Sequence, residues 1–145
     1  VIPPRLQIPD HHVRIGCDVV TLSEIEHSLS SFGSRFLHKI YTAHELDECG
    51  SQNRLPRLAA RFAAKEAAIK AFSRPDAPFV PLEIEVATVR GVPTLRLSGR
   101  AAALASEQDW QQISVSMTHA DCHAAAVVAV VCGQPVATPV RRPID

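Results

Sequence analysis

Four ionisable residues interrupt a helix that has no polar side of its own. Residues 58–72 read Leu-Ala-Ala-Arg-Phe-Ala-Ala-Lys-Glu-Ala-Ala-Ile-Lys-Ala-Phe. At about 100° per residue, Leu58, Phe62, Ile69 and Phe72 form an apolar stripe, and Ala60, Ala63, Ala64, Ala67, Ala68 and Ala71 cover the other side. A solvated back face would carry Glu, Lys or Gln. Alanine nearly all round predicts a buried spine that other segments approach closely. Arg61, Lys65, Glu66 and Lys70 are its only ionisable residues, and Lys65 falls within the apolar stripe. A buried, unpaired charge costs a large share of a domain's stability. These four must therefore pair, reach the edge of the core or bind something charged.

Two readings follow. In the structural one, Glu66 and Lys70 form an ordinary i,i+4 ion pair worth about 0.3–0.5 kcal/mol, and Lys65 snorkels to solvent. In the chemical one, three cations and one carboxylate meet a metal-bound polyphosphate. The carboxylate takes a hard cation and the cations take phosphate oxygens.

A second carboxylate stands at the end of a strand. Residues 13–20 alternate, with Val13, Ile15, Cys17 and Val19 pointing one way and Arg14, Gly16 and Asp18 the other. Thr21 or Ser23 caps a short helix to about Ser31, with Leu22, Ile25 and Leu29 on one side. Another short helix covers Gly33 to Lys39, and Thr42-x-x-Glu45 is a capping box opening a third. Cys49 to Pro56 reads as a loop, Leu58 to Phe72 as the long helix and Arg74 to Pro81 as a linker. Leu82–Val89 and Thr94–Ser98 alternate as strands around Arg90-Gly91-Val92-Pro93, a hairpin with a turn-forming glycine. An alanine-rich helix, Arg100 to Glu107, precedes two last strands, Ile113–Thr118 and Ala124–Val131. The second of these competes with a helix, and its valines favour strand. The expected class is α/β of the α+β type, mainly antiparallel sheet packed on a long central helix.

The 145 residues suit one domain, and 46% hydrophobic with 21% charged residues is a globular composition. We expect that domain at residues 13–132. The ends, 1–12 and 133–145, carry Pro3, Pro4, Pro9 and Pro135, Pro139, Pro143 and read as tails on the surface or disordered. Lys plus Arg (15) balances Asp plus Glu (15), so no global field draws nucleic acid or an anionic membrane. The longest apolar run, Ala124 to Cys132, is nine residues, far short of a span. No secretory signal is present in these residues, although the chain begins at Val1 rather than Met, which leaves room for an upstream piece. The four cysteines (Cys17, Cys49, Cys122, Cys132) contain no C-x-x-C, and three lie in or beside apolar segments. A reducing cytoplasm is the natural location. His27, His38, His44 and His123 lack zinc-type spacing with the cysteines and read as surface residues, and Trp110 as a packing residue.

Three segments carry a family resemblance. Ile15-Gly16-Cys17-Asp18-Val19-Val20, then Arg61-Phe62-Ala63-Ala64-Lys65-Glu66-Ala67 with Lys70-Ala71, then Val115-Ser116-Met117-Thr118-His119 resemble the signature blocks of the 4′-phosphopantetheinyl transferases. The small holo-acyl-carrier-protein synthase type is the nearest match. The likeness spans about residues 13 to 132, and the second block is the specific one. Such enzymes move the phosphopantetheine arm of coenzyme A onto a serine of an apo-acyl carrier protein or carrier domain, releasing adenosine 3′,5′-bisphosphate. The resemblance implies Mg²⁺ on Asp18 and Glu66, a catalytic part for Glu66 and Lys70, and a homotrimer with each active site between two subunits.

The residues agree in chemistry. Attack of a hydroxyl on a pyrophosphate needs charge neutralisation and in-line positioning more than covalent help. Arg61, as a bidentate fork, and Lys65, as a point charge, are candidates for coenzyme A phosphate oxygens. Thr118 and His119, at a strand end, suit a phosphate or the adenosine part; a lone strand-end histidine is more often structural, but the resemblance of the surrounding Ser-Met-Thr-His block reverses that reading here. Gly91 and Pro93 resemble the family's Gly-x-Pro turn beside the nucleotide, which a plain hairpin turn explains nearly as well.

One position departs. The family usually carries an arginine six residues after the metal aspartate, gripping an acidic carrier. Here that residue is Glu24, with Glu26 two further on. It would repel an acidic partner, and Arg35 and Lys39 are the substitutes for a basic patch. Two other functions compete: a catalytically weak coenzyme A-binding or assembly module of a larger synthase, and another Mg²⁺-dependent pyrophosphate enzyme such as a nucleotide hydrolase.

Overall fold

The computed structural model describes residues 12–133. The proline-bearing ends expected on the surface lie outside them, apart from His12, which opens the first strand, and Gly133, which follows the last. In chain order the elements are β1 (His12–Thr21), α1 (Leu22–Phe32), α2 (Ser34–Ile40), α3 (Ala43–Cys49), α4 (Arg54–Phe72), a 3₁₀ turn (Pro81–Glu83), β2 (Ile84–Val89), β3 (Val92–Leu97), α5 (Gly99–Glu107), β4 (Trp110–His119) and β5 (His123–Cys132).

β1, β5 and β4 form an antiparallel sheet in that order, and β2 pairs with β3 as a separate hairpin. Thr21 caps α1 and Thr42 caps α3, each in a capping box closed by Glu24 and Glu45. The long helix begins four residues before the expected start, so residues 54–56 of the anticipated 49–56 loop are helix. Pro56 sits in its first turn, where a missing N–H costs nothing. The hairpin is tighter than expected. Arg90 (φ 51°) and Gly91 (φ 78°) alone make the turn, with Val92 and Pro93 already in β3.

α4 is the buried spine. Its alanine side, Ala59, Ala60, Ala63, Ala64, Ala67, Ala68 and Ala71, is buried, whereas Phe62 and Ile69 of the anticipated stripe are only half-buried. The alternation of β1 runs opposite to a half-buried strand. Arg14, Gly16, Asp18 and Val20 face α4, and Val13, Ile15 and Val19 are 64–68% exposed. Cys17 shares that outer face and is exposed, as is Cys122, while Cys49 and Cys132 are buried. The close approach explains the inversion. A Cβ on Gly16 would run into the Ala67 carbonyl oxygen and lie 2.8 Å from the Ala71 nitrogen, so strand and helix meet backbone to backbone.

Gly16→Ala is therefore expected to act as an overpacking substitution at its costly end. At about 3 kcal/mol it lowers the Tm by roughly 10 °C in a chain of this size, and an unchanged Tm in a thermal scan would contradict the packing. Trp110, as anticipated, packs: it stacks on Phe72 at 4.1 Å between centroids and donates Nε1–H to Gln108 Oε1 at 2.9 Å.

Candidate active site

Asp18 reaches α4 from near the C-terminal end of β1. Lys70 donates to its Oδ1 at 2.8 Å and to the Cys17 carbonyl at 3.0 Å. Lys70 thus turns away from the ordinary i,i+4 pairing with Glu66 and ties the helix to the strand. Glu66 shares with Asp18 a cavity of about 400 Å³ lined also by Val19, Glu24, Ile25 and Phe62. Burial, then the Asp18 carboxylate, pushes the Glu66 carboxyl above its usual range, with Lys70 pulling the other way. The hydrogen bond and charge of Asp18 hold the Lys70 ammonium above its own range.

Two mutually repelling carboxylates on one cavity fit a divalent cation. Among the described residues no group of three or more His, Cys, Asp or Glu side chains could hold a metal ion. A set of two suits Mg²⁺, which keeps several waters and takes substrate oxygens. Glu24 also lines the cavity, but its Oε2 accepts the Thr21 N–H at 2.9 Å in the α1 cap.

Arg61 stands elsewhere. Five positions from Glu66, it projects about 140° away around α4. It lines a separate cleft of about 510 Å³ with Glu48, Arg57, Thr88, Gly91, Pro93 and Met117. The structure thus brings Gly91 and Pro93 to Arg61 but not to Asp18, Glu66 and Lys70. Thr118 and His119 end β4, exposed and at the Asp18 end of the sheet, in register through Ala125 and Ala124 with Val19 and Val20.

Lys65 is the correction. It is 1% exposed, and Nζ donates to Glu45 Oε2 (2.8 Å), the Pro81 carbonyl (2.9 Å) and the Ile84 carbonyl (2.7 Å). All three donors of an ammonium are used inside the protein, leaving none for a phosphate. Burial pushes this ammonium down, with Glu45 pulling it back up. Glu45, Glu48 and Arg57 escape sequence reasoning. The capping box marks Glu45 only as a local cap, and nothing in the spacing pairs α3 with α4.

The family model of the 4′-phosphopantetheinyl transferase superfamily matches residues 14–130, most of the chain. The chain belongs to that superfamily. It is a transferase, and the expected α+β fold is the fold of its relatives. A holo-[acyl-carrier-protein] synthase of Dehalococcoides mccartyi is 43% identical over 114 residues, covering 78% of this chain and 93% of that protein. One of Maridesulfovibrio salexigens is 37% identical over 120 residues, covering 81% and 97%. Among solved structures, the ACPS–CoA complex of Chronobacterium ammoniagenes superposes with a TM-score of 0.74 at 30% identity, covering 86% of this chain and 99% of that one. The Asp18–Glu66 cavity and the Arg61 cleft lie on two sides of one helix.

Proposed function

We propose that this chain transfers the 4′-phosphopantetheine arm of coenzyme A to a serine hydroxyl of an apo-acyl carrier protein, or of a carrier domain in a larger synthase. The observation that carries the reading is the meeting of Asp18 and Glu66 at one cavity, with Lys70 bonded to Asp18, in a chain of this superfamily. Asp18 and Glu66 would hold Mg²⁺, and the ion, when bound, neutralises pyrophosphate charge. The serine oxygen attacks the β-phosphorus, and the bond to the α-phosphate oxygen breaks. Lys70, exposed and next to the carboxylates, meets that leaving oxygen as a cation or proton donor. Glu66 orients a water that takes the serine proton. Arg61 with Gly91 and Pro93, and Thr118 with His119, receive the nucleotide part of coenzyme A.

Two observations support a homotrimer with shared sites. Asp18 and Arg61 lie on separate clefts of one chain, which a head-to-tail contact closing into a ring would unite. The outer sheet face also leaves Val13, Ile15, Val19 and Val127 between 43% and 68% exposed, an apolar face suited to a second copy. Four free thiols, two of them exposed, favour the cytoplasm. No helix of the described residues is long and apolar enough to cross a membrane.

The carrier reading turns on charge. Glu24 and Ser28 line the catalytic cavity with Phe36, and Phe36 continues into an apolar groove with Phe32 and Ile40, rimmed by the exposed cations Arg35 and Lys39. A carrier is drawn by Arg35 and Lys39 and repelled, where acidic, by Glu24. Glu24→Gln keeps the α1 capping box and removes the charge. It is expected to lower the KM for a strongly acidic apo-carrier by about threefold to tenfold, whereas Arg35→Glu raises it. Steady-state transfer with that carrier varied checks both, and an unchanged KM in both would place the carrier elsewhere.

A further inference from the structure

α3 offers two carboxylates one turn apart, and they do different work. Glu45 is fully buried, and its partners are Lys65, the Val86 N–H and its own cap. Glu48 is only partly buried and stands on the wall of the Arg61 cleft. Its Oε2 accepts from Arg61 Nη2 at 2.9 Å, its Oε1 accepts the Thr88 N–H at 2.9 Å, and His44 Nε2 lies 3.0 Å from Oε1. Burial raises the Glu48 carboxyl, but the Thr88 N–H and Arg61 outweigh it and hold it below the usual range.

Arg61 depends on this carboxylate. Its side chain is 8% exposed, its Nη1 reaches only the Arg57 carbonyl at 3.4 Å, and its Nε is buried without a partner among the described residues. A guanidinium in that state is held chiefly by one charge-assisted bond. We propose that Glu48 is a positioning residue for coenzyme A. Anchored by the β2 backbone at Thr88, it fixes the Arg61 fork in the cleft wall, ready for a phosphate of the nucleotide. The inference rests on the reading of Arg61 as a coenzyme A residue. Two effects oppose each other: Glu48 cancels part of the charge of Arg61, but it removes the cost of ordering that long side chain on binding. Arg57, exposed on the same cleft, supplies positive charge that Glu48 does not contact. Ordering therefore decides the sign.

Calorimetric titration of the folded protein with coenzyme A, without carrier or turnover, tests this. Glu48→Ala is expected to weaken binding about tenfold, the scale of one charge-assisted hydrogen bond. Glu48→Gln, which keeps one acceptor oxygen without the charge, weakens it less and carries the test if Glu48→Ala does not fold. In turnover the loss falls on the coenzyme A KM rather than on kcat. Glu45→Gln, measured alongside, loosens the same helix and lowers the Tm without moving the coenzyme A affinity, which separates positioning from general destabilisation. Unchanged or tighter binding in the Glu48 variants, with binding lost in Arg61→Ala, overturns the role of Glu48. Unchanged binding in Arg61→Ala as well overturns the reading of Arg61 on which it rests.

Discussion

Glu66→Gln is expected to cut phosphopantetheine transfer by about a thousandfold while leaving the protein as stable as before or slightly more so. The two signs come from one geometry. Glu66 and Asp18 share a cavity in which burial and mutual repulsion disfavour ionised Glu66. Gln fills the same space without the charge, so repulsion falls and the Tm holds or rises. That pattern marks a site whose local instability serves a ligand. Loss of activity together with a lower Tm would instead make Glu66 a structural residue. A mixing experiment extends the test. Arg61→Ala should also be inactive, because its defect lies in the other cleft. Hybrids assembled from equal amounts of the two variants pair an intact Glu66 with an intact Arg61 at about one quarter of interfaces if sites are shared around a ring. Recovery of activity on mixing is expected, and none is expected if each chain builds its site alone.

Lys65→Met has the largest expected effect on stability, about 3–5 kcal/mol. The substitution strands a buried Glu45 carboxylate and the carbonyls of Pro81 and Ile84, all now satisfied by one ammonium. Removing the charge on both sides recovers part of the loss, so Lys65→Met with Glu45→Gln should be more stable than Lys65→Met alone. Urea unfolding reads both, as a lower midpoint at constant slope. A midpoint within error of the parent would mean that Lys65 is free to face a ligand after all.

Lys65 also shows where sequence reading stops. The wheel places it among apolar residues, and composition says that a charge there needs a partner. Its partner is Glu45, twenty residues earlier on another helix, and no local spacing reveals that. Asp18, Glu66 and Lys70 are legible because their block patterns resemble a family, and the structure brings Asp18 and Glu66 to one cavity with Lys70 bonded to Asp18. The fold is legible where signals are local. The Thr42 capping box, the Thr21 cap, the alanine spine and the valine-rich last strand appear as expected. The early start of α4 is missed because Pro56 reads as a breaker although the first turn tolerates it. The outward apolar face of β1 is missed because alternation does not say which side faces the core. Gly16 holds that information, as the one residue on the inner side small enough to let α4 touch the strand.

The central claim is carrier modification at the Asp18–Glu66 cavity. Incubating the protein with coenzyme A, Mg²⁺ and a panel of apo-carrier proteins, then reading intact carrier mass, tests it directly. The expected result is a carrier heavier by one phosphopantetheine group, with no gain after EDTA treatment and none with Glu66→Gln. Coenzyme A binding with no gain of mass on any carrier would contradict the claim and leave the chain a coenzyme A-binding module.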